Sequence, residues 1–87
     1  MRANVRDVVA GKYVAGVHVK AIGSSDSTFK DGKTDLRGIF VGEGLNGTAT
    51  VIARDDQNRY AFYRGNWNGY DNFRRGSNKG VQIQQVR

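Results

Sequence analysis

The sequence predicts an all-β fold, a small antiparallel β-sandwich, and three observations lead to this prediction. Residues 15–22 alternate between apolar and polar side chains, the pattern of a half-buried strand. Residues 34–40 (TDLRGIF) have the composition of a tight turn that leads into a strand. Residues 48–54 alternate again, and a polar connection separates them from a further alternating segment. No helical periodicity of useful length is found.

The first half of the chain contains three predicted strands. Residues 5–9 form a short branched apolar run, which Ala10-Gly11-Lys12 ends. Residues 15–22 form the second strand, and its polar side chains, His18 and Lys20, point away from its apolar ones. A polar loop covers residues 23–33, and residues 39–41 form the third strand.

The turn between the loop and the third strand has the clearest local chemistry. The carboxylate of Asp35 can accept backbone N–H groups, and Gly38 can take a positive φ without steric cost. Ile39 and Phe40 then leave the turn already extended. Five residues are interpreted as structural turn residues: Thr34, Asp35, Gly38, Phe40 and Gly47.

The second half begins with a predicted hairpin. Residues 48–54 form one strand, and residues 55–58 (DDQN) form a four-residue connection of a length that favours a hairpin. Residues 59–64 form the returning strand. The inward side chains of the first strand are Ala49, Val51 and Ala53. The pattern leaves open which pair of the second strand faces the core, Tyr60 and Phe62 or Ala61 and Tyr63.

After Arg64 the composition changes to glycine, asparagine and charge, with three aromatic residues between them. The predicted organisation is therefore a β-sandwich domain over residues 1–64 and a basic aromatic segment over residues 65–80. Residues 81–87 alternate once more, so they form either an edge strand or a disordered tail.

Composition limits the chemistry that this chain can perform. Its 87 residues allow one small domain, which buries only about 60–65% of its unfolded surface. There is no cysteine, so disulfides and thiolate chemistry are excluded. One histidine and one glutamate leave few general acid–base options, so we expect no enzyme, no catalytic residue and no cofactor. The aspartates near residues 26–35 do not fit a calcium loop, so we expect no metal site.

No apolar run approaches the length of a membrane span, and we expect no transmembrane segment. The net charge is +6, and it is concentrated in the last third of the chain. From residue 59 onward only Asp71 opposes six cations: Arg59, Arg64, Arg74, Arg75, Lys79 and Arg87. The basic character of the chain therefore belongs to its C-terminal third.

Cations and rings alternate in this third, and the predicted binding residues are Tyr63, Arg64, Trp67, Tyr70, Phe73, Arg74, Arg75 and Lys79. In one interpretation the rings fold back over a thin core or dock on another chain or another domain of a parent protein. In a second, they stack on the bases of a nucleic acid while the cations neutralise phosphates. A third is attraction to an acidic envelope surface or polysaccharide.

Three groups of residues carry a resemblance to a known family: Val17-x-Val19-x-Ala21, Thr34-Asp35-x-x-Gly38-x-Phe40 and Gly47-x-x-Thr50-Val51-x-Ala53. Together they resemble the carboxypeptidase-regulatory-like, or transthyretin-like, β-sandwich modules. Residues 33–65 are similar, more specifically, to the C-terminal module of bacterial alpha-macroglobulin-like envelope proteins. The sequence departs from the family at Ala49, where the related modules carry an aromatic residue.

The resemblance implies a small Ig-like (prealbumin-like) sandwich of six or seven strands with a basic aromatic C-terminal extension. It also implies a non-enzymatic structural or protein-interaction module of a larger bacterial surface or secreted protein, and hence a location in the cell envelope or outside the cell. The alternative function is a nucleic-acid-binding module that uses the C-terminal third. The chain alone names neither the partner nor the oligomeric state.

Overall fold

The structure, a computed structural model, describes residues 2–23, 29–42, 48–66 and 74–85. It is all-β in these residues, with no helix. They form nine strands: β1 (Arg2–Asp7), β2 (Lys12–Tyr13), β3 (His18–Gly23), β4 (Phe29–Lys33), β5 (Ile39–Val41), β6 (Thr48–Arg54), β7 (Tyr60–Asn66), β8 (Arg74–Ser77) and β9 (Val81–Gln85).

The strands form two antiparallel sheets. In the four-stranded sheet, β1 is central: β9 pairs along one side of it, while β2 and β5 pair with the two ends of its other side. The β1–β9 register places Ala3 opposite Gln85 and Asp7 opposite Val81. The five-stranded sheet has the order β4-β3-β6-β7-β8, and every neighbouring pair in it is antiparallel.

The core lies between the two sheets and is built from small side chains. Its buried hydrophobic residues are Ala3, Val5, Val17, Val19, Ala21, Phe40, Ala49, Val51, Ala53, Ala61, Tyr63, Val81 and Ile83. The inward positions predicted for residues 15–22 and 48–54 are confirmed, and Ala61 with Tyr63 is the inward pair of β7. The largest fully buried side chains are Ile83 and five valines, so the sheets enclose little volume.

The predicted turn before β5 is confirmed in detail. Oδ1 of Asp35 accepts the backbone N–H groups of Arg37 and Ile39 at 2.8 and 3.0 Å, and Gly38 has a φ of 73°. A Cβ on Gly38 would lie 2.8 Å from the backbone oxygen of Val5, so only glycine fits this approach to β1. The turn is therefore an attachment point between β5 and β1.

Thr34 connects this turn to the segment before β3. Its buried hydroxyl donates to the carbonyl of Val14 at 2.8 Å and accepts the N–H of Val17 at 3.0 Å. The backbone N–H of Thr34 also donates to the carbonyl of Val17. Phe40, two residues after Gly38, places its ring in the core against Gly32 of β4. The presence of Thr34 and Phe40 in the sequence is therefore explained by their contacts in the fold.

The strand count differs from the six or seven expected. The additional strands are short or lie where sequence periodicity is weak, as in β2 with two residues and β8 with the sequence RRGS. The β6–β7 connection is also longer than the predicted four residues. It spans residues 55–59, because the N–H of Asp55 donates to the carbonyl of Arg59 at 3.0 Å.

The C-terminal third contributes to both sheets. β7 continues to Asn66, and β8 pairs with β7 at the edge of the five-stranded sheet. Lys79 and Gly80 have φ values of 52° and 82°, so the chain turns sharply between β8 and β9. β9 then pairs with β1 over five residues and buries Val81 and Ile83.

Candidate functional site

The candidate site is the solvent-facing side of the five-stranded sheet, called here the outer face. Directly opposite residues of neighbouring strands point to the same side, so the strand registers place its side chains in three rows. The first row holds Lys33, His18, Arg54 and Tyr60; the second Asp31, Lys20, Ile52, Phe62 and Gly76; the third Ile22, Thr50, Arg64 and Arg74.

Large apolar side chains occupy the middle of the outer face. Ile52 of β6 lies directly opposite Phe62 of β7, with Tyr60 two residues before Phe62 on the same strand. Ile22 of β3 lies diagonally across from Ile52. These four side chains are between 39% and 48% exposed, although the core on the other side of the same strands is largely alanine and valine. Such an exposed apolar cluster is typical of an interaction surface.

Five cations surround this cluster: Lys20, Lys33, Arg54, Arg64 and Arg74. The one carboxylate in the described rows is Asp31. The ion pairs found among the described residues involve only Arg37 and Arg59 as cations, so none of the five forms a close ion pair there, although Lys20 lies directly opposite Asp31. The outer face is therefore strongly positive around an apolar centre.

Two of the arginines are held by hydrogen bonds to neutral groups. Arg64 donates to Oγ1 of Thr50 at 2.6 Å, and Arg54 donates to Oδ1 of Asn58 at 2.6 Å. These contacts fix the direction of each guanidinium but leave its charge uncompensated. Arg64 also lies directly opposite Arg74, and two like charges in that arrangement repel each other. An anion bound between them would relieve this repulsion.

Phe62 owes its position to Gly76. The ring lies over this glycine, and a Cβ built at residue 76 would come within 2.5 Å of Cε1 of the ring. The cross-strand glycine thus leaves room for the ring to lie along the sheet. The ring remains 39% exposed, so part of its surface is open to a partner.

A shallow groove of about 700 Å³ crosses one end of the outer face. It is lined by His18, Lys20, Asp31, Ile52, Arg54, Asp55, Asp56 and Asn58. His18 is exposed, as expected. Within the same residues, no group of three or more His, Asp or Glu side chains is arranged to hold a metal ion.

The end of the sandwich below this groove is fixed by an ionic clamp, defined as Asp7, Asp55 and Arg59. The guanidinium of Arg59 donates to Oδ2 of Asp55 at 2.6 Å and to Oδ2 of Asp7, joining the two sheets. All three side chains are less than a fifth exposed. The clamp positions the β6–β7 turn that borders the groove.

The clamp shifts the titration of its members. The pKa of Asp7 is lowered, first by the backbone N–H of Ala10 and then by Arg59. Burial opposes ionisation of Asp55, but the backbone and side-chain N–H groups of Arg59 outweigh it and lower the pKa of that carboxyl. Hydrogen bonds to Asp55 and Asp7 raise the pKa of Arg59. All three groups are charged at neutral pH.

The predicted binding residues do not form one surface. Arg64 and Arg74 lie side by side on the outer face. Tyr63 requires a correction, because it points into the core and is only 5% exposed, so it does not contribute to an exposed binding face. Burial also raises the pKa of Tyr63, an effect that the charge of Arg75 partly offsets. Its place in the alternation of β7 is the physical reason: Tyr63 has the parity of Ala61.

Arg75 and Lys79 are exposed but lie away from the rows of the outer face. Arg75 has the opposite strand parity to Arg74 and borders a small pocket with Ser77 and Gln82. Lys79 lies in the turn before β9. The other predicted residues, Trp67, Tyr70, Phe73 and Gly47, lie outside the described residues.

Sequence reasoning missed most of the outer face. The missed residues are Lys20, Ile22, Lys33, Ile52, Arg54, Tyr60 and Phe62. A usable signal is present in side-chain volume: the alanines at positions 49, 53 and 61 share one parity, the bulky residues 52, 60 and 62 share the other, and Tyr63 is the exception. Small side chains suit the thin interior of a sandwich, so the bulky set was available for the outside.

No protein-family model, curated protein or solved structure matches the chain significantly. Fold and outer face therefore define a class, an all-β sandwich with a cationic, partly apolar sheet surface. Among the described residues, no helix is long and apolar enough to span a membrane.

Proposed function

We propose that this chain is a non-enzymatic interaction module that binds a partner through the outer face of its five-stranded sheet. The observation that carries the proposal is the distribution of apolar volume in β6 and β7. These strands direct Ala49, Val51, Ala53, Ala61 and Tyr63 inward and Ile52 and Phe62 outward, so four of the five inward side chains are alanine or valine. A small domain gains stability by burying large side chains, so their exposure favours a role in binding.

The cations around the cluster support the same proposal. Interfaces combine an apolar centre with a polar rim, and arginine and aromatic residues are enriched at their centres. The outer face has this composition, with Ile52 and Phe62 at the centre and Lys20, Arg54 and Arg64 around them. An acidic partner would neutralise charges that no carboxylate neutralises among the described residues.

The finer assignment is an Ig-like, carboxypeptidase-regulatory-like sandwich within a larger bacterial surface or secreted protein. It rests on the resemblance of the sequence motifs, and the structural tasks of Thr34, Asp35 and Gly38 support it. These residues stabilise the turn that joins β5 to β1. The contacts of these three residues explain the motif by its role in folding. This agrees with a module that binds a partner and does not catalyse a reaction.

Site-specific photo-crosslinking tests the proposal. A photoreactive phenylalanine analogue would replace Ile52 on the outer face of the full-length protein in its native host. The matched control replaces Val41, an apolar residue of similar exposure on the outward side of the four-stranded sheet. We expect a discrete adduct from position 52 and none from position 41. Equal adduct patterns, or no adduct from position 52, would contradict the proposal.

A further inference from the structure

We infer that the partner of the outer face is a single-stranded nucleic acid, whose bases stack on Tyr60 and Phe62 and whose phosphates contact the surrounding arginines and lysines. This inference rests on the proposed function, because it names the occupant of the same face. Three features of the described residues carry it: the sign of the charge, the spacing of the rings, and the position of the charges relative to the rings.

The sign of the charge selects a polyanion. Among the described residues, the three rows of the outer face hold five cations and one carboxylate, Asp31, and Asp56 borders them at the groove. Arg64 and Arg74 lie directly opposite each other, which costs free energy unless an anion lies between them. Guanidinium groups bind phosphate oxygens in a bidentate manner, so this pair suits a phosphate of the backbone.

The spacing of the rings suits bases in an extended strand. Tyr60 and Phe62 are two residues apart on β7, so their Cα atoms are separated by about 6.6–6.8 Å along the strand. Successive bases in a duplex are only about 3.4 Å apart along each strand. Neighbouring bases that each contact one of these rings must therefore be separated from one another, which a single strand allows. A sheet that presents aromatic rings to separated bases is a known mode of single-strand recognition.

The cations lie on both sides of the ring pair. Arg54 is directly opposite Tyr60 on one neighbouring strand, and Arg64 follows Phe62 on the same strand. Lys20 lies one strand further, beyond Ile52. A nucleic-acid strand that runs along β7 with its bases on the two rings would thus have Arg54 beside the first stacked nucleotide and Arg64 after the second. The hydroxyl and aliphatic side chains between them, Thr50 and Ile52, can contact sugars.

Fluorescence anisotropy with labelled oligonucleotides tests the inference on the full chain. The probes are a 12-nucleotide oligo-dT, the same strand with abasic sites in place of its bases, and a duplex of equal length. Poly-L-glutamate serves as a polyanion without phosphates or bases. Each is titrated at 50 and 200 mM salt. Contacts to three to five phosphates should weaken binding by about 20- to 130-fold between these two salt concentrations.

Variants separate stacking from charge. Tyr60→Ala and Phe62→Ala should each weaken binding of oligo-dT by about 5- to 150-fold, and Phe62→Tyr should restore most of it. Arg64→Gln should reduce the salt slope by about 0.7. The matched controls are Leu36→Ala, at an exposed apolar residue of the β4–β5 turn, and Arg2→Gln on the four-stranded sheet. Neither control should change affinity, and circular dichroism verifies that each variant folds.

Each possible result either supports the inference or overturns it. Preference for oligo-dT over the abasic strand, lost in the ring variants, supports it. Equal binding of the abasic strand or poly-L-glutamate overturns it and indicates an acidic protein partner. No binding to any strand at 50 mM salt also overturns it. The crosslinking experiment tests the proposed function separately. An adduct at position 52 that protease removes and nuclease does not would support the interaction module and contradict binding of a nucleic acid.

Discussion

The two sides of the five-stranded sheet differ in composition, and the difference separates the core from the proposed interaction surface. The inner side carries Ala21, Val51 and Ala61, which are fully buried. The outer side carries Ile52 and Phe62, which are larger and about half exposed. Their outward placement is the basis of our proposal that the sheet is a binding platform as well as one wall of a sandwich.

The largest expected effect is the difference in stability between two aspartate substitutions at consecutive positions of β6. One of these positions faces the core and the other faces solvent. Val51→Asp would bury a carboxylate without a partner and cost about 3–5 kcal/mol, comparable to the stability of a small domain. Ile52→Asp would place the carboxylate among Lys20 and Arg54 and cost no more than about 1 kcal/mol. Thermal unfolding by circular dichroism measures both. Equal losses would remove the distinction between the two faces.

Two glycine-to-alanine substitutions allow the same comparison between the core side and the outer face, because each adds only one methyl group. Gly32→Ala places a Cβ 3.0 Å from the core ring of Phe40, and Gly76→Ala places one 2.5 Å from the ring of Phe62. Judged by these distances alone, Gly76→Ala would be the more destabilising substitution. Environment reverses the order, because the Phe62 ring can move into solvent whereas Phe40 is enclosed.

We therefore expect a cost of about 1–3 kcal/mol for Gly32→Ala and less than about 1 kcal/mol for Gly76→Ala, measured by urea unfolding. Gly76→Ala should instead weaken oligonucleotide binding, since it displaces a stacking ring. A Gly76→Ala variant that is less stable than Gly32→Ala would show that the Phe62 ring contributes to folding more than to binding.

Acid should loosen the end of the sandwich at the ionic clamp. The pKa values of Asp7 and Asp55 are lowered in the folded state, so their contribution is complete above the unfolded pKa of about 3.9. It is lost as pH falls through the lower folded pKa values. Urea midpoints between pH 7 and pH 2 measure this loss, which should be shallower in Arg59→Gln.

Arg37→Gln is the matched control for this pH series. Arg37 pairs with Asp35 at an exposed turn, and the largest single cause that lowers the pKa of Asp35 is the backbone N–H of Ile39, which the substitution keeps. Removing this arginine should leave the pH dependence almost unchanged. Equal flattening by Arg37→Gln and Arg59→Gln would show that the clamp has no special role in joining the sheets.

The smallest expected effect belongs to neutral changes on the surface. Ile52→Thr keeps a β-branched side chain at a half-exposed strand position, so stability should change by less than about 0.5 kcal/mol. Leu36→Ser, at a side chain that is 95% exposed, should change the stability equally little. Only Ile52→Thr should alter partner binding. A stability loss above 1 kcal/mol for Ile52→Thr would assign the outer cluster to the fold.

Much of the fold follows from local sequence patterns. Alternation placed Val17, Val19 and Ala21 on the inner side, and the chemistry of Asp35 and Gly38 located the turn. Both signals act within a few residues, so the sequence exposes them directly. The pairing of β9 with β1 was one of two alternatives, because alternation in residues 81–87 says nothing about a partner strand nearly 80 positions away.

The candidate site was harder to predict than the fold. The choice between Tyr60 with Phe62 and Ala61 with Tyr63 depends on the depth of the core, which is a property of both sheets together. Lys20, Lys33 and Arg54 are far apart in sequence, and only the strand registers bring them to one surface. Net charge by segment therefore pointed to the last third and underestimated the contribution of β3, β4 and β6.

The pairing of β1 with β9 has a mechanical consequence. Because Ala3 lies opposite Gln85, the two ends of the described chain are adjacent and the strands run in opposite directions. Tension applied through flanking chain would act across this pair and separate its hydrogen bonds one after another rather than all at once. The domain would then open by unzipping at low force, beginning at the sheet that does not carry the outer face.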